Sequence, residues 1–148
     1  MQMFPVPLVI RAPLPSDATA MAHLFTQLGY AAEADELLPR LLGHDVATRV
    51  LLAEQAEQAE RVVGVLVWHW LQPLHVAPAW GLISALVVDD GARGGGIGAA
   101  LLCEAERQAR EAGCSQLELS SSIKREDAHR FYLAQAYQER PKRFVKLL

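Results

Sequence analysis

The sequence predicts an α/β (α+β) fold, a mixed and mostly antiparallel central sheet flanked by helices, built as one domain over residues 1–148. Three observations predict it. Apolar residues switch repeatedly between the alternating period of strands and the longer period of helices. Two β-rich runs, ATRVLLAEQ and RVVGVLVWHW, are joined only by the polar QAEQAE, so they should pair antiparallel. Finally, GLISALVV, a continuous apolar run typical of a buried strand, runs into a glycine cluster and then a helix.

Element by element, the chain opens with a strand near Leu8 to Arg11. Asp17 should then cap a helix whose Met21, Leu24, Phe25 and Leu28 fall on one face. ADELLPRLLG places Leu37, Leu38, Leu41 and Leu42 together, with Gly43 as a stop; Pro39 is tolerable only within about the first turn. The hairpin follows, then LQPLHVAPAW as a proline-bearing loop before the buried strand. From Ile97 a helical stripe of Leu101, Leu102, Ala105 and Ala109 runs to a stop at Gly113, with Glu106 and Arg110 spaced as an ion pair. SQLELSSS reads as a strand, REDAHRFYLAQAY as a helix and RFVKLL as a closing strand, so the second half should be β-α-β-α-β.

Composition excludes several classes. With 51% hydrophobic and 21% charged residues the chain reads as an ordinary soluble globular protein. A net charge of -3 lacks the basic footprint of nucleic-acid binding. No apolar stretch approaches about 18 residues, so neither a signal peptide nor a membrane span is expected and the location should be cytoplasmic. Cys103 and Cys114 lack metal-type spacing and read as reduced thiols, with no metal site.

The glycine cluster is the chemical signal. In VVDDGARGGGIGAALL a strand turns directly into a helix, so backbone N–H groups and the positive helix end converge where Cβ atoms are missing. Phosphate suits such a place, with Arg93 beside it. A phosphate-binding P-loop fails, because Gly91 and Gly96 are followed by Ile97 and Gly98 rather than lysine and a hydroxyl. A dinucleotide fingerprint survives on spacing, since Gly94, Gly96 and Ala99 satisfy it and Glu118 lies further on. Against it stand the antiparallel first half and the place of Glu118 between apolar neighbours. Coenzyme A is the third ligand, and a turn without ligand the plain alternative.

Here the residues resemble the GCN5-related N-acetyltransferase (GNAT) family. Arg93, Gly96 and Gly98 fill its Arg/Gln-x-x-Gly-x-Gly/Ala loop directly after an apolar strand, and AHRFYLAQAY resembles its Ala-x-x-Phe-Tyr-x-x-x-Gly-Phe/Tyr helix. VIRAPLPSDATAMAHLFTQLGY resembles its opening strand and helix. The resemblance implies acetyl-CoA as donor and a splayed parallel strand pair, LISALVV and LELSSS, that holds the pantetheine arm. It implies cofactor contacts at Leu86, Val87, Val88, Arg93, Gly94, Gly95, Gly96, Ile97, Gly98, Ala99 and Ser122, with a backbone N–H near Val88 polarising the thioester carbonyl.

Amine acetylation requires a neutral nitrogen and an acid for the departing thiolate. The resemblance makes Tyr132 that acid. The glutamate that many members carry before the loop corresponds to Leu82, so the base is open between His69, His75 and a water chain. Ser122 stands where relatives carry a pantetheine-binding asparagine, and Ala136 replaces the family glycine, a change expected only to stiffen the turn. Glu33, Asp35, Glu36, Trp68, Trp70, His75 and Trp80 fall in the region the resemblance gives to the acceptor, a small-molecule amine; the same residues also read as solvated acids and core aromatics. A homodimer is expected from the apolar chain end. A catalytically silent acyl-CoA-binding module and a nicotinamide-binding protein are the competing readings.

Overall fold

The computed structural model describes residues 7–55, 61–121, 126–140 and 143–148. Five strands form one sheet in sequence order: β1 (Leu8–Arg11), β2 (Thr48–Gln55), β3 (Arg61–Leu71), β4 (Ala79–Val88) and β5 (Cys114–Leu119). The first four pair antiparallel and only β4 with β5 runs parallel, so the sheet is mixed and not doubly wound. Four helices, α1 (Ala18–Leu28), α2 (Ala34–Gly43), α3 (Ile97–Glu111) and α4 (Glu126–Ala134), cover it.

Each face of the sheet has its own core. Met21, Leu24 and Leu41 from α1 and α2 pack on Leu52, Val65 and Val87. On the other face Ile97, Leu101, Leu102, Ala105 and Ala109 from α3 pack on Leu51, Leu66, Trp68 and Ile83. Central strand β3 is therefore buried on both sides, which is why it reads as a nearly continuous apolar run. Gly64 permits the contact with α3, because a Cβ there would sit 3.0 Å from Leu101 Cδ1.

Several local expectations are corrected. Asp17 does not cap α1; it closes a short turn, Pro15–Asp17, and its carboxylate accepts from Leu14 N–H at 2.6 Å and from Arg11 at 2.8 and 2.9 Å. Arg11 also donates to Glu54 at 2.8 Å, so one guanidinium ties β1, β2 and the turn together. Pro39 lies beyond the first turn of α2. It removes the donor that Asp35 C=O would take, but Asp35 and Pro39 both face solvent, so water can meet that carbonyl. Glu106 and Arg110 do not pair; Glu106 accepts from Tyr137 O–H at 3.0 Å. The loop before β4 is shorter than read, since Ala79 and Trp80 already belong to the strand.

The predicted closing strand, residues 143–148, has no regular structure and is exposed throughout, with Phe144 at 89%. A six-residue run becomes a strand only by pairing, and among the described residues nothing pairs with the outer edge of β5. The described second half is therefore β-α-β-α.

Candidate active site

The site is organised by how β4 ends. β3 and β4 pair as Val67 with Ala85 and Trp68 with Ile83, so Ser84 is an extra residue, a β-bulge. Parallel pairing with β5 stops at the same level, Ile83 opposite Leu119. Beyond it Ala85 to Val88 continue along β3 but, among the described residues, have no strand on their other side. Asp89 N–H donates to Val63 O at 2.7 Å and so points at β3; by alternation Val88 presents its N–H and C=O to the open side. Arg93 Nε reaches Val88 O from that side, at 3.3 Å.

The glycine turn follows. Gly94 and Gly96 have φ of +85° and +78°, backbone that strains any residue with a Cβ. Gly96 is the N-cap of α3 and offers no side chain to its first N–H groups. The side chain of Ile97 lies in the core, so only its backbone faces the turn. Arg93 is held beside it by Asp90 at 2.9 Å. Gln27 of α1, not identified from the sequence, clamps the entry: its amide donates to Asp89 at 2.7 Å and accepts from Asp90 N–H at 3.0 Å. That hydrogen bond, with Arg61 nearby, holds the Asp89 carboxyl below its ordinary value.

Helix α4 lies against the turn, since a Cβ on Gly98 would meet Phe131 Cζ at 3.2 Å. Tyr132, half-buried, packs on the α3 face and stacks edge-on with Phe131 and Tyr137 at 5.3 and 6.0 Å. Its backbone is fixed by a helix end in which Tyr137 N–H donates to Tyr132 O and Ala136 N–H to Leu133 O, the Schellman pattern. Ala136 sits at the left-handed position, φ +67°. The substitution of alanine for glycine therefore costs backbone strain and does not merely stiffen the turn. Burial and the neighbouring Glu106 carboxylate push the Tyr137 hydroxyl well above the ordinary phenol range. Ser122 lies outside the described residues.

The histidines separate. His69 lies opposite Leu82, and Leu82 opposite Glu118, so the three share one face in a row across β3, β4 and β5. His69 Nε2 is 2.7 Å from Ser84 Oγ, and its Nδ1 is 3.2 Å from Thr48 Oγ1. Burial lowers its pKa, opposed by the charge of Asp45. His75 instead sits exposed in the β3–β4 turn against Trp80, at 5.6 Å. Trp80 is four residues of strand from Ser84, roughly 13 Å, so the structure does not bring the two histidines together. Trp68 and Trp70 are on the α3 face, donating to Gln108 Oε1 and Ala112 O at 3.0 Å each, so they are core residues and not an aromatic acceptor wall. Glu33, Asp35 and Glu36 are exposed at the start of α2.

A coenzyme A arm fits what these residues offer: a strand edge without a partner among the described residues, glycine backbone open to close approach, and a helix start without a side-chain cap. A cavity of about 440 Å³ over β1 and β2, bordered by Ile10, Arg11, Leu41 and Arg49, lies elsewhere. Among the described residues no helix is long and apolar enough to cross a membrane, and none form a metal-binding cluster.

Comparisons with known proteins agree with this geometry. The chain is 42% identical to an aminoalkylphosphonate N-acetyltransferase of Salmonella typhimurium over 125 residues, 84% of this chain and 78% of that protein. Its fold is similar to that of a transcriptional regulator from Bacillus halodurans, with a TM-score of 0.85 at 23% identity over 96% of this chain and 100% of the other. It is also similar in fold to an aminoglycoside acetyltransferase from a soil metagenome, solved with sisomicin, with a TM-score of 0.78 at 18% identity over 95% and 96% of the two chains. With residues 18–137 matching the acetyltransferase (GNAT) family as well, the chain belongs to that family and is an acetyl-CoA-dependent acyltransferase.

Proposed function

We propose that the protein transfers the acetyl group of acetyl-CoA to the primary amine of a small molecule. The observation that carries this reading is the end of β4–β5 pairing at Ile83 and Leu119, immediately ahead of the Arg93–Gly98 turn. In this reading the open edge at Leu86, Val87 and Val88 receives the pantetheine amide groups as an added strand would, and Val88 N–H polarises the thioester carbonyl. Arg93 and the backbone N–H groups of Gly94 to Ala99 hold the pyrophosphate. Ser122 is assigned to the pantetheine arm on the family resemblance alone.

His69 acts as general base for the attacking nitrogen. It is preferred to His75 because it faces the bulge where the strands part, and because burial lowers its pKa and so favours the neutral imidazole that can take a proton. Tyr132 supplies the proton that the departing thiolate takes up. The relative in Salmonella makes aminoalkylphosphonates, small acid-bearing primary amines, the first acceptors to test. A cytoplasmic location and a homodimer formed through the exposed apolar chain end, Phe144 to Leu148, complete the reading.

Calorimetric titration with acetyl-CoA, with NAD as control, followed by thiol release against a panel of amines, tests it. Micromolar acetyl-CoA binding and amine-dependent thiol release are expected. NAD binding, or acetyl-CoA binding without turnover on any amine, would overturn it, the latter in favour of a silent binding module.

A further inference from the structure

We propose that Ser84 is a catalytic proton relay between the acceptor nitrogen and His69, with Thr48 as the positioning residue behind it. The proposal rests on the reading of His69 as base and names the group through which that base reaches the substrate.

The geometry is a continuous chain. Thr48 Oγ1, His69 and Ser84 Oγ are linked at 3.2 and 2.7 Å across three adjacent strands, β2, β3 and β4. In the tautomer protonated on Nδ1, the ring donates to Thr48 and leaves Nε2 to accept the Ser84 O–H. The ring is half-buried, whereas Ser84 is exposed, so the chain begins inside the fold and ends at solvent. Its outer end is the inserted residue of the β4 bulge. A bulge re-aims a side chain that regular pleating would set elsewhere, and this one lies where β4 and β5 stop pairing. An exposed serine gains little stability from such a contact, because water would serve its hydroxyl equally well. Leu82, where a carboxylate would otherwise stand, cannot move a proton; the next polar group along β4 on that face is Ser84.

The step balances without redox chemistry. As the nitrogen lone pair forms its bond to the acyl carbon and the carbon–sulfur bond breaks, the nitrogen gives one proton to Ser84 Oγ. The proton already on Ser84 passes to His69 Nε2, and the imidazolium returns it to solvent. The thiolate takes its proton from Tyr132, and the tyrosinate takes one back from solvent, so no net proton is gained or lost.

Charges around the ring are few. Asp45, ahead of β2, favours the imidazolium. Glu118 is the carboxylate in the same row on β5, and β4 presents only Leu82 and Ser84. On the helices of this face, His23 of α1 is engaged with Gln27, and His44 at the end of α2 has Nδ1 beside Leu41 O.

The test is steady-state thiol release from acetyl-CoA with aminomethylphosphonate, or the fastest amine of the panel, over pH 5 to 9. For the wild type the acid limb of kcat/KM should fall below pH 6.5, the ordinary value from which His69 is lowered. Ser84→Ala should lose about 10- to 100-fold in kcat with the KM for acetyl-CoA unchanged, and Ser84→Thr should recover most of it. His69→Gln should lose at least as much and flatten the acid limb. The double variant should be no slower than His69→Gln alone, because a relay acts as a unit. Thr48→Val should shift the acid limb while keeping acetyl-CoA binding. Full kcat in Ser84→Ala, or losses that multiply in the double variant, would overturn the relay and leave His69 as base. An unchanged acid limb in His69→Gln, or a wild type without amine-dependent turnover, would remove the underlying reading and the relay with it.

Discussion

Ala136→Gly should stabilise the protein, although it deletes a methyl group. Ala136 holds φ +67° at the C′ position of the turn that ends α4. A left-handed conformation costs a residue with a Cβ about 1–2 kcal/mol. Its side chain is exposed, so the lost methyl forfeits little packing. Against the relief stands the greater freedom of glycine in the unfolded chain, about 0.4–1 kcal/mol. The net expectation is a gain of about 0.5–1 kcal/mol, or a rise in Tm of roughly 2 °C for a chain of this size. Urea unfolding should show a higher midpoint at constant slope. Ala136→Val should move the other way by about 1–2 kcal/mol, since β-branching is tolerated least at positive φ. Because Tyr137 N–H closes this turn on Tyr132 O, the valine variant should also lose turnover before it loses acetyl-CoA binding. A glycine variant no more stable than the parent, or a valine variant more stable than it, would refute the argument from strain.

Asp17→Asn should cost about 2–3 kcal/mol, because it removes a charge-assisted pair and turns an amide toward the Arg11 guanidinium. The Arg11 hydrogen bonds hold the Asp17 carboxyl below its ordinary 3.8, so its stabilisation is present above that pH and is lost as pH falls through the lower folded value. Acid titration of unfolding should therefore be flatter in the variant below about pH 4. Gly64→Ala should destabilise by about 1–3 kcal/mol in thermal melts, since the new methyl would lie 3.0 Å from Leu101 Cδ1 and 3.2 Å from Ile97 Cγ2. Arg93→Ala should weaken acetyl-CoA binding about 10-fold by calorimetry with little change in Tm, as its side chain is 61% exposed and its ion pair with Asp90 is worth little to the fold.

Much of this architecture is legible along the chain, because its signals are local. Apolar period and turn residues suffice to place β1, α1, the β2–β3 hairpin and α3. The glycines at 94 and 96 announce backbone that residues with a Cβ adopt only under strain, and they mark the turn between an apolar strand and a helix. The Arg93–Gly98 loop and the Phe131–Tyr132 helix resemble one family closely enough to name it. What stays hidden is whatever depends on register. That RFVKLL is no strand follows from its pairing with no edge among the described residues, which no property of those six residues reveals. Whether Glu106 meets Arg110 or Tyr137 depends on where α4 lands. Trp68 and His69, adjacent in sequence, part to opposite faces, so one becomes core and the other meets Ser84 at the bulge of β4. Ser84 carries no signal of its own. Local pattern thus determined the strands, helices and glycine turn, and the resemblance of two motifs indicated the family, since each is carried by neighbours in the chain. Only the tertiary structure decided that His69, and not His75, lies beside Ser84 where β4 bulges, because a one-residue bulge shifts the register of β4 and with it everything β4 presents.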